Sequence, residues 1–223
     1  MTSTTTDETH GAGAIARPGD GDAPTAGAGP ARTLRRTSSW WDAPARLSLA
    51  AHVGATIATL VVVGVVNTVL QRMYDATGYP VTFAEGQTTF SAATVREHLG
   101  VLESLGTLDD FTRTQLTDFG FLVAYGLSGL VLGALLVRLL PGRWRLLGRV
   151  TAGGLVLGAA FDALENLVSF GMIADPAGFP GVLALLHSSF AVAKFATMGA
   201  GMLAATIGVV ACVVVLVRRR AAR

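Results

Sequence analysis

The chain has 223 residues, of which 51 % are hydrophobic and only 14 % charged, and its mean hydropathy is +0.53. A soluble domain carries about 25 % charged residues, so this balance excludes an ordinary soluble enzyme or binding module and points to the bilayer. The net charge of +2 does not argue for nucleic acid, because most arginines sit at the ends of apolar runs, where they act as topology signals.

Four apolar runs, at 47–70, 119–140, 150–173 and 183–217, are each long enough to cross a bilayer. They predict an all-α polytopic membrane protein: four transmembrane helices in one domain, 39–223, with a partly helical extracytoplasmic loop over 71–118. Residues 1–38 are rich in Thr, Ser, Gly, Ala and Pro and read as a disordered cytoplasmic tail, since they bury too little to offset their ordering entropy. No apolar stretch in them resembles a secretory signal. Arg32, Arg35, Arg36, Trp40, Trp41 and Arg46 form a basic and aromatic approach to the membrane.

Helix 1 carries His52 near its start and Asn67 near its far end, each read first as the maker of a structural hydrogen bond. The following loop holds seven acidic residues, Asp75, Glu85, Glu97, Glu103, Asp109, Asp110 and Asp118, against Arg72, Arg96 and Arg113. It is too long to lack structure in a compact protein. Gly78-Tyr79-Pro80 reads as a turn, with short extended pieces between Tyr74 and Phe90. Ser91 starts a helix with Val95, Leu99 and Leu102 on one face and a stop near Gly106, and a second helix over 108–117 runs into helix 2. The loop is expected to cap the outer end of the bundle.

Helix 2 contains Gly129-x-x-x-Gly133, and such glycine-rich faces would suit a homo-oligomer. A short basic loop with Arg138, Arg143, Trp144, Arg145 and Arg149 leads to helix 3. There Asp162, Glu165 and Asn166 interrupt the apolar run at i, i+3 and i+4, on one helical face that Gly158 and Ser169 extend. At about 1.5 Å per residue, Asp162 lies roughly 18 Å and Glu165 roughly 23 Å into the membrane from Val150. Charges at such depth point inward, pair, and mark sites. The last run, about 55 Å as one helix against a core of about 30 Å, has to tilt, break near Gly199 and Gly201, or project. It carries His187 and Lys194 on one face and ends in Arg218, Arg219 and Arg220. Lone Cys212 reads as a small buried hydrophobe.

Basic residues flank the tail, the 2–3 loop and the C-terminus, so the positive-inside rule places both termini in the cytoplasm of an inner-membrane protein. Asp162, Glu165, Asn166, His187, Lys194, Tyr125 and Asn67 then converge in the outer half of the bundle, as a pocket opening outward. Carboxyls one turn apart in low dielectric repel each other, so one stays protonated or a cation neutralises them, and Lys194 is the obvious partner. The centre is structural or binds a small ligand. Two alternatives stay open: a membrane-embedded hydrolase or isomerase on a lipid-like substrate, with Asp162 and Glu165 as acid and base and His187 as proton shuttle, and a small-solute or proton transporter working as an oligomer. No nucleophile motif surrounds Ser188 or Ser189. The pattern implies no cofactor, and no metal, because Lys194 opposes a cation and no zinc signature occurs. Membrane lipids are the expected partners, and nucleic acid is not.

At Phe161-Asp162-Ala163-Leu164-Glu165-Asn166 the chain resembles a family of uncharacterised bacterial four-helix membrane proteins. It resembles them also in Tyr74-Asp75-x-x-Gly78 after the first helix and in Lys194-Phe195 of the last, over about residues 50–217. The resemblance implies the four-helix topology and no activity. In layout alone the chain is similar to four-helix sterol-isomerase-type proteins with acidic residues in the membrane.

Overall fold

The computed structural model describes residues 47–221. The expected tail and its basic, aromatic approach to the membrane lie outside them. The described residues are all-α, and four of their six α-helices are long and apolar enough to cross a membrane. These are α1 (Leu49–Thr77), α4 (Leu108–Leu139), α5 (Arg145–Ile173, entered through a 3-10 turn at Gly142–Trp144) and α6 (Gly181–Ala221). Two shorter helices, α2 (Phe83–Gln87) and α3 (Ala92–Leu105), lie between α1 and α4.

Local chemistry explains the boundaries. Ser48 caps α1 by accepting the Ala51 amide at 3.1 Å, and Gly78 ends it in the left-handed conformation, at φ 71°. Ser91 caps α3, and its stop at Gly106 (φ 70°) is a Schellman arrangement, with Thr107 donating to the Leu102 carbonyl at 2.9 Å. The helix expected at 108–117 continues without interruption into α4, so that α1 and α4 both extend past their apolar runs and the connection between them shrinks to 78–107. No strand occurs among the described residues. The extended pieces expected before Phe90 are replaced by α2, which a Thr82–Glu85 capping box initiates.

The long helices pack in the order α1, α4, α5, α6, with α4 and α5 in the middle. Glycines set the two inner spacings. A Cβ on Gly154 would lie 2.7 Å from the Thr197 carbonyl oxygen and 2.8 Å from the Gly201 Cα, so α5 and α6 meet backbone to backbone. A Cβ on Gly133 would meet Gly148 and Ala152 of α5. The Gly129–Gly133 face is therefore packed against α5 within the chain. Helix α6 runs unbroken through Gly199 and Gly201 for 41 residues, roughly 60 Å, or about twice the thickness of a bilayer core. Of the three ways to accommodate its length, the break is eliminated.

At the end of the bundle where α1 ends and α6 begins, here the loop end, α3 covers the helices through Val95, Leu99 and Leu102, packed with Tyr74, Phe111, Met172 and Phe179. Arg96 latches α3 to the α5–α6 turn, donating to the Phe179 carbonyl at 2.8 Å with its guanidinium 4.9 Å over the Phe179 ring. The opposite end, here the arginine end, carries the 3-10 turn and the C-terminus of α6.

Candidate functional site

One polar centre lies inside the bundle, roughly 10–20 Å along the helices from the loop end. Helix α5 supplies Asp162, Glu165 and Asn166 from one face, as their spacing requires, and they are 4 %, 0 % and 0 % exposed. Helix α6 brings Lys194, whose Nζ lies 2.9 Å from Asp162 Oδ1 and 2.6 Å from Glu165 Oε2. The shorter contact is an ion contact without hydrogen-bond alignment, since neither oxygen of Glu165 has a hydrogen-bond partner. Tyr125 on α4 donates to Asp162 Oδ2 at 3.3 Å, and His187 Nε2 stands 3.5 Å from Glu165 Oε1.

Six of the seven expected site residues thus meet. Asn67 does not: it is exposed on α1, away from the packed face that buries His52, Thr56 and Leu70. Its place on the helix faced the outer half in depth but not in direction. His52 is buried against α4, its Nε2 3.0 Å from the Val131 carbonyl oxygen, in the structural role expected of it. Cys212 is buried beside Leu136 and Leu140. Ser188 Oγ accepts the Phe90 amide at 3.0 Å, and Ser189 Oγ donates to the Leu185 carbonyl, so each hydroxyl already has a structural bond.

Three residues join the centre that sequence reasoning left outside it. Asp118, 2 % exposed, accepts from Asn166 Nδ2 at 2.6 Å, and Gln115 donates to Ser169 Oγ at 2.8 Å and to Asn166 Oδ1 at 3.4 Å. The third is Gln87, from the loop: its Oε1 accepts from Lys194 Nζ at 3.0 Å. Gln115, Asp118 and Tyr125 share one face of α4 and become visible once the helix is started at Leu108 rather than at Phe119. The Thr82-x-x-Glu85 capping box signals the start of α2 in the sequence, but a five-residue helix folds through tertiary contacts and its sequence does not show Gln87 reaching Lys194.

Two features decide what the centre can do. The first is charge. Three carboxyls, Asp118, Asp162 and Glu165, surround a single ammonium, and an excess of negative charge buried to this extent has to be balanced by protons or by a bound partner. Among the described residues no three His, Cys, Asp or Glu side chains are grouped as metal ligands. The second is space. A cavity of about 30 Å³ lies between the centre and the loop, lined by the polar side chains of Gln87, Gln115, Ser169 and His187 and by the aromatic rings of Tyr74, Tyr79, Phe83 and Phe111. It is large enough for a water molecule. His187 Nδ1 is buried there without a hydrogen-bond partner.

Helix α2 and its flanks form the loop-side wall of the cavity through Tyr79, Phe83, Gly86 and Gln87. Tyr79 stacks on Phe111 with ring centroids 5.2 Å apart, and burial pushes its hydroxyl up to about 12, so the roof stays uncharged. Glu85, on the solvent side of α2, is held below the usual carboxylate range by its hydrogen bonds from the Thr82 hydroxyl and amide. Phe90, on the far side of α2, has φ 53°, a left-handed conformation that strains a bulky residue. The chain matches no family model, and no curated protein or solved structure matches it.

Proposed function

We propose that this multi-pass membrane protein binds a small molecule at the Lys194 centre, with α2 as the closure of the site. The observation that carries the reading is the acceptor that the loop lends to Lys194. The hydrogen bond to Asp162 and the ion contact with Glu165 are fixed on α5, but Gln87, which also lines the cavity, comes from a five-residue helix in the loop. A displaceable acceptor beside a cavity, over buried charge that stability alone would not favour, is what a binding site requires.

The same geometry selects the ligand. It takes the place of a neutral carbonyl, among three carboxyls that repel an anion, so it presents an uncharged carbonyl oxygen to Lys194. The cavity of about 30 Å³ admits water and no ring, so the ligand enters as α2 moves aside, and the aromatic wall of Tyr74, Tyr79, Phe83 and Phe111 then favours a flat apolar body behind that oxygen. Benzamide, benzoate and benzylamine have nearly one shape and three charges, and their binding to the purified protein by ligand-observed NMR tests the selection. Benzamide is expected to bind the wild type and to lose binding in Lys194→Met, with benzoate binding neither. Equal binding of all three, or benzamide binding that survives Lys194→Met, contradicts the reading.

A second reading rests on His187. Its Nε2 stands 3.5 Å from Glu165 Oε1, Nδ1 has no partner, and the residue lines the cavity, which suits an imidazole oriented by a carboxylate for proton transfer to a bound molecule. In that case Glu165→Gln abolishes turnover without abolishing binding.

We further propose that the arginine end is cytoplasmic and the loop end faces out of a bacterial-type inner membrane, both termini being inside. The support is the asymmetry of charge: Arg138, Arg143, Arg145, Arg149 and Arg218–Arg220 at one end, acidic helices at the other.

A further inference from the structure

The arginine end carries a second, independent feature. No Asp or Glu occurs from 119 to 161 or from 176 to 223. Seven arginines of the described chain gather at this end, at 138, 143, 145, 149, 218, 219 and 220, and among the described residues none has an acidic partner. Arg138 and Arg145 donate to the backbone carbonyls of Leu47 and Leu140. Between the 3-10 turn and α6 lies a groove of about 410 Å³, with walls of Leu140, Ile207, Val210, Ala211, Val214 and Val215. Trp144 and Arg218 line it as well, and the Arg143 guanidinium stands 5.9 Å from the Trp144 ring centroid.

We infer that this groove seats one anionic phospholipid of the adjoining leaflet, acyl chain along the α6 wall and phosphate against Arg218 and Arg143. The apolar wall takes hydrocarbon and not a hydrated ion. The arginines, lacking carboxylates, supply the charge complement that a phosphate needs, and guanidinium groups can bind phosphate oxygens in a bidentate way. Trp144, which is 45 % exposed, sits where an indole belongs, between headgroup and chain. An unbroken α6 is what makes the wall: its C-terminal half packs Cys212 against Leu136 and Leu140 and leaves Ile207, Val210 and Val214 exposed beside the 3-10 turn.

The test uses the full chain in bilayers, with Trp40→Phe and Trp41→Phe so that Trp144 is the sole fluorophore. Quenching is read as dibrominated phosphatidylglycerol or dibrominated phosphatidylcholine replaces the unbrominated lipid. Half-maximal quenching by the glycerol lipid is expected at about fivefold lower mole fraction, the worth of one arginine contact at a membrane surface. Arg218→Gln should bring the two lipids together, while Arg113→Gln at the loop end leaves the preference intact. Val214→Phe, which fills the wall, should reduce quenching by both. Equal quenching of the wild type by both lipids overturns the inference, as does a preference that survives Arg218→Gln. Loss of the preference on adding inorganic phosphate at constant ionic strength overturns it too, since the site would then be one for free anions.

Discussion

Lys194 is the residue on which the centre depends. Its ammonium is all that offsets the carboxylates of Asp162 and Glu165, at 2.9 and 2.6 Å. Removing one partner of a buried ion pair leaves the other charge uncompensated, which costs about 3–5 kcal/mol. Lys194→Met should therefore unfold more readily by about that amount, and adding Asp162→Asn to it should recover part of the loss, because one fewer carboxylate is then stranded. Chemical denaturation of the four members of that cycle measures the coupling; strictly additive effects would mean the two side chains do not interact. Asp162, Glu165 and Lys194 were legible in the sequence because a charge in an apolar run has few places to go. Asp118 was not, since it sits at the edge of such a run, where a carboxylate reads as solvated.

At the scale of elements, spacing between helices is a matter of glycines rather than of large side chains. Gly154 faces the α6 backbone, whereas an added Cβ on its neighbour Gly153 would meet nothing within 4 Å. Gly154→Ala should lower stability by about 1–3 kcal/mol through forced separation of the helices, and Gly153→Ala should leave it unchanged or raise it slightly. Thermal unfolding of the two variants side by side checks this; equal effects would contradict the packing. Both glycines look alike in the sequence, which shows small residues but not which side of the helix meets a neighbour. Helix caps were legible for the opposite reason: Ser91 and Gly106 act within their own turns, and α3 begins and ends beside them. The Thr82–Glu85 capping box of α2 acts within its own turn as well, but the reach of Gln87 to Lys194 depends on the bundle beneath and has no local signal.

For the whole molecule, four apolar runs and their flanking charges sufficed to predict an all-α polytopic chain, since the bilayer leaves so few alternatives. The proposed orientation rests on the arginines and is tested by labelling: Ser104→Cys, exposed on α3, should react with a membrane-impermeant maleimide in intact cells, and Arg219→Cys only after lysis. The reverse pattern would turn the molecule over and put the site on the cytoplasmic side. What joins these scales is the claim that α2 lends Gln87 to Lys194 in place of a ligand carbonyl. The most direct measurement is the melting temperature of Gln87→Ala with benzamide, benzoate or benzylamine. Benzamide alone should raise it, by more than it raises the wild type, because the ring amide returns the missing acceptor to the ammonium. A variant that none of the three stabilises, or that all three stabilise alike, would leave the Lys194 centre as scaffolding and not a site.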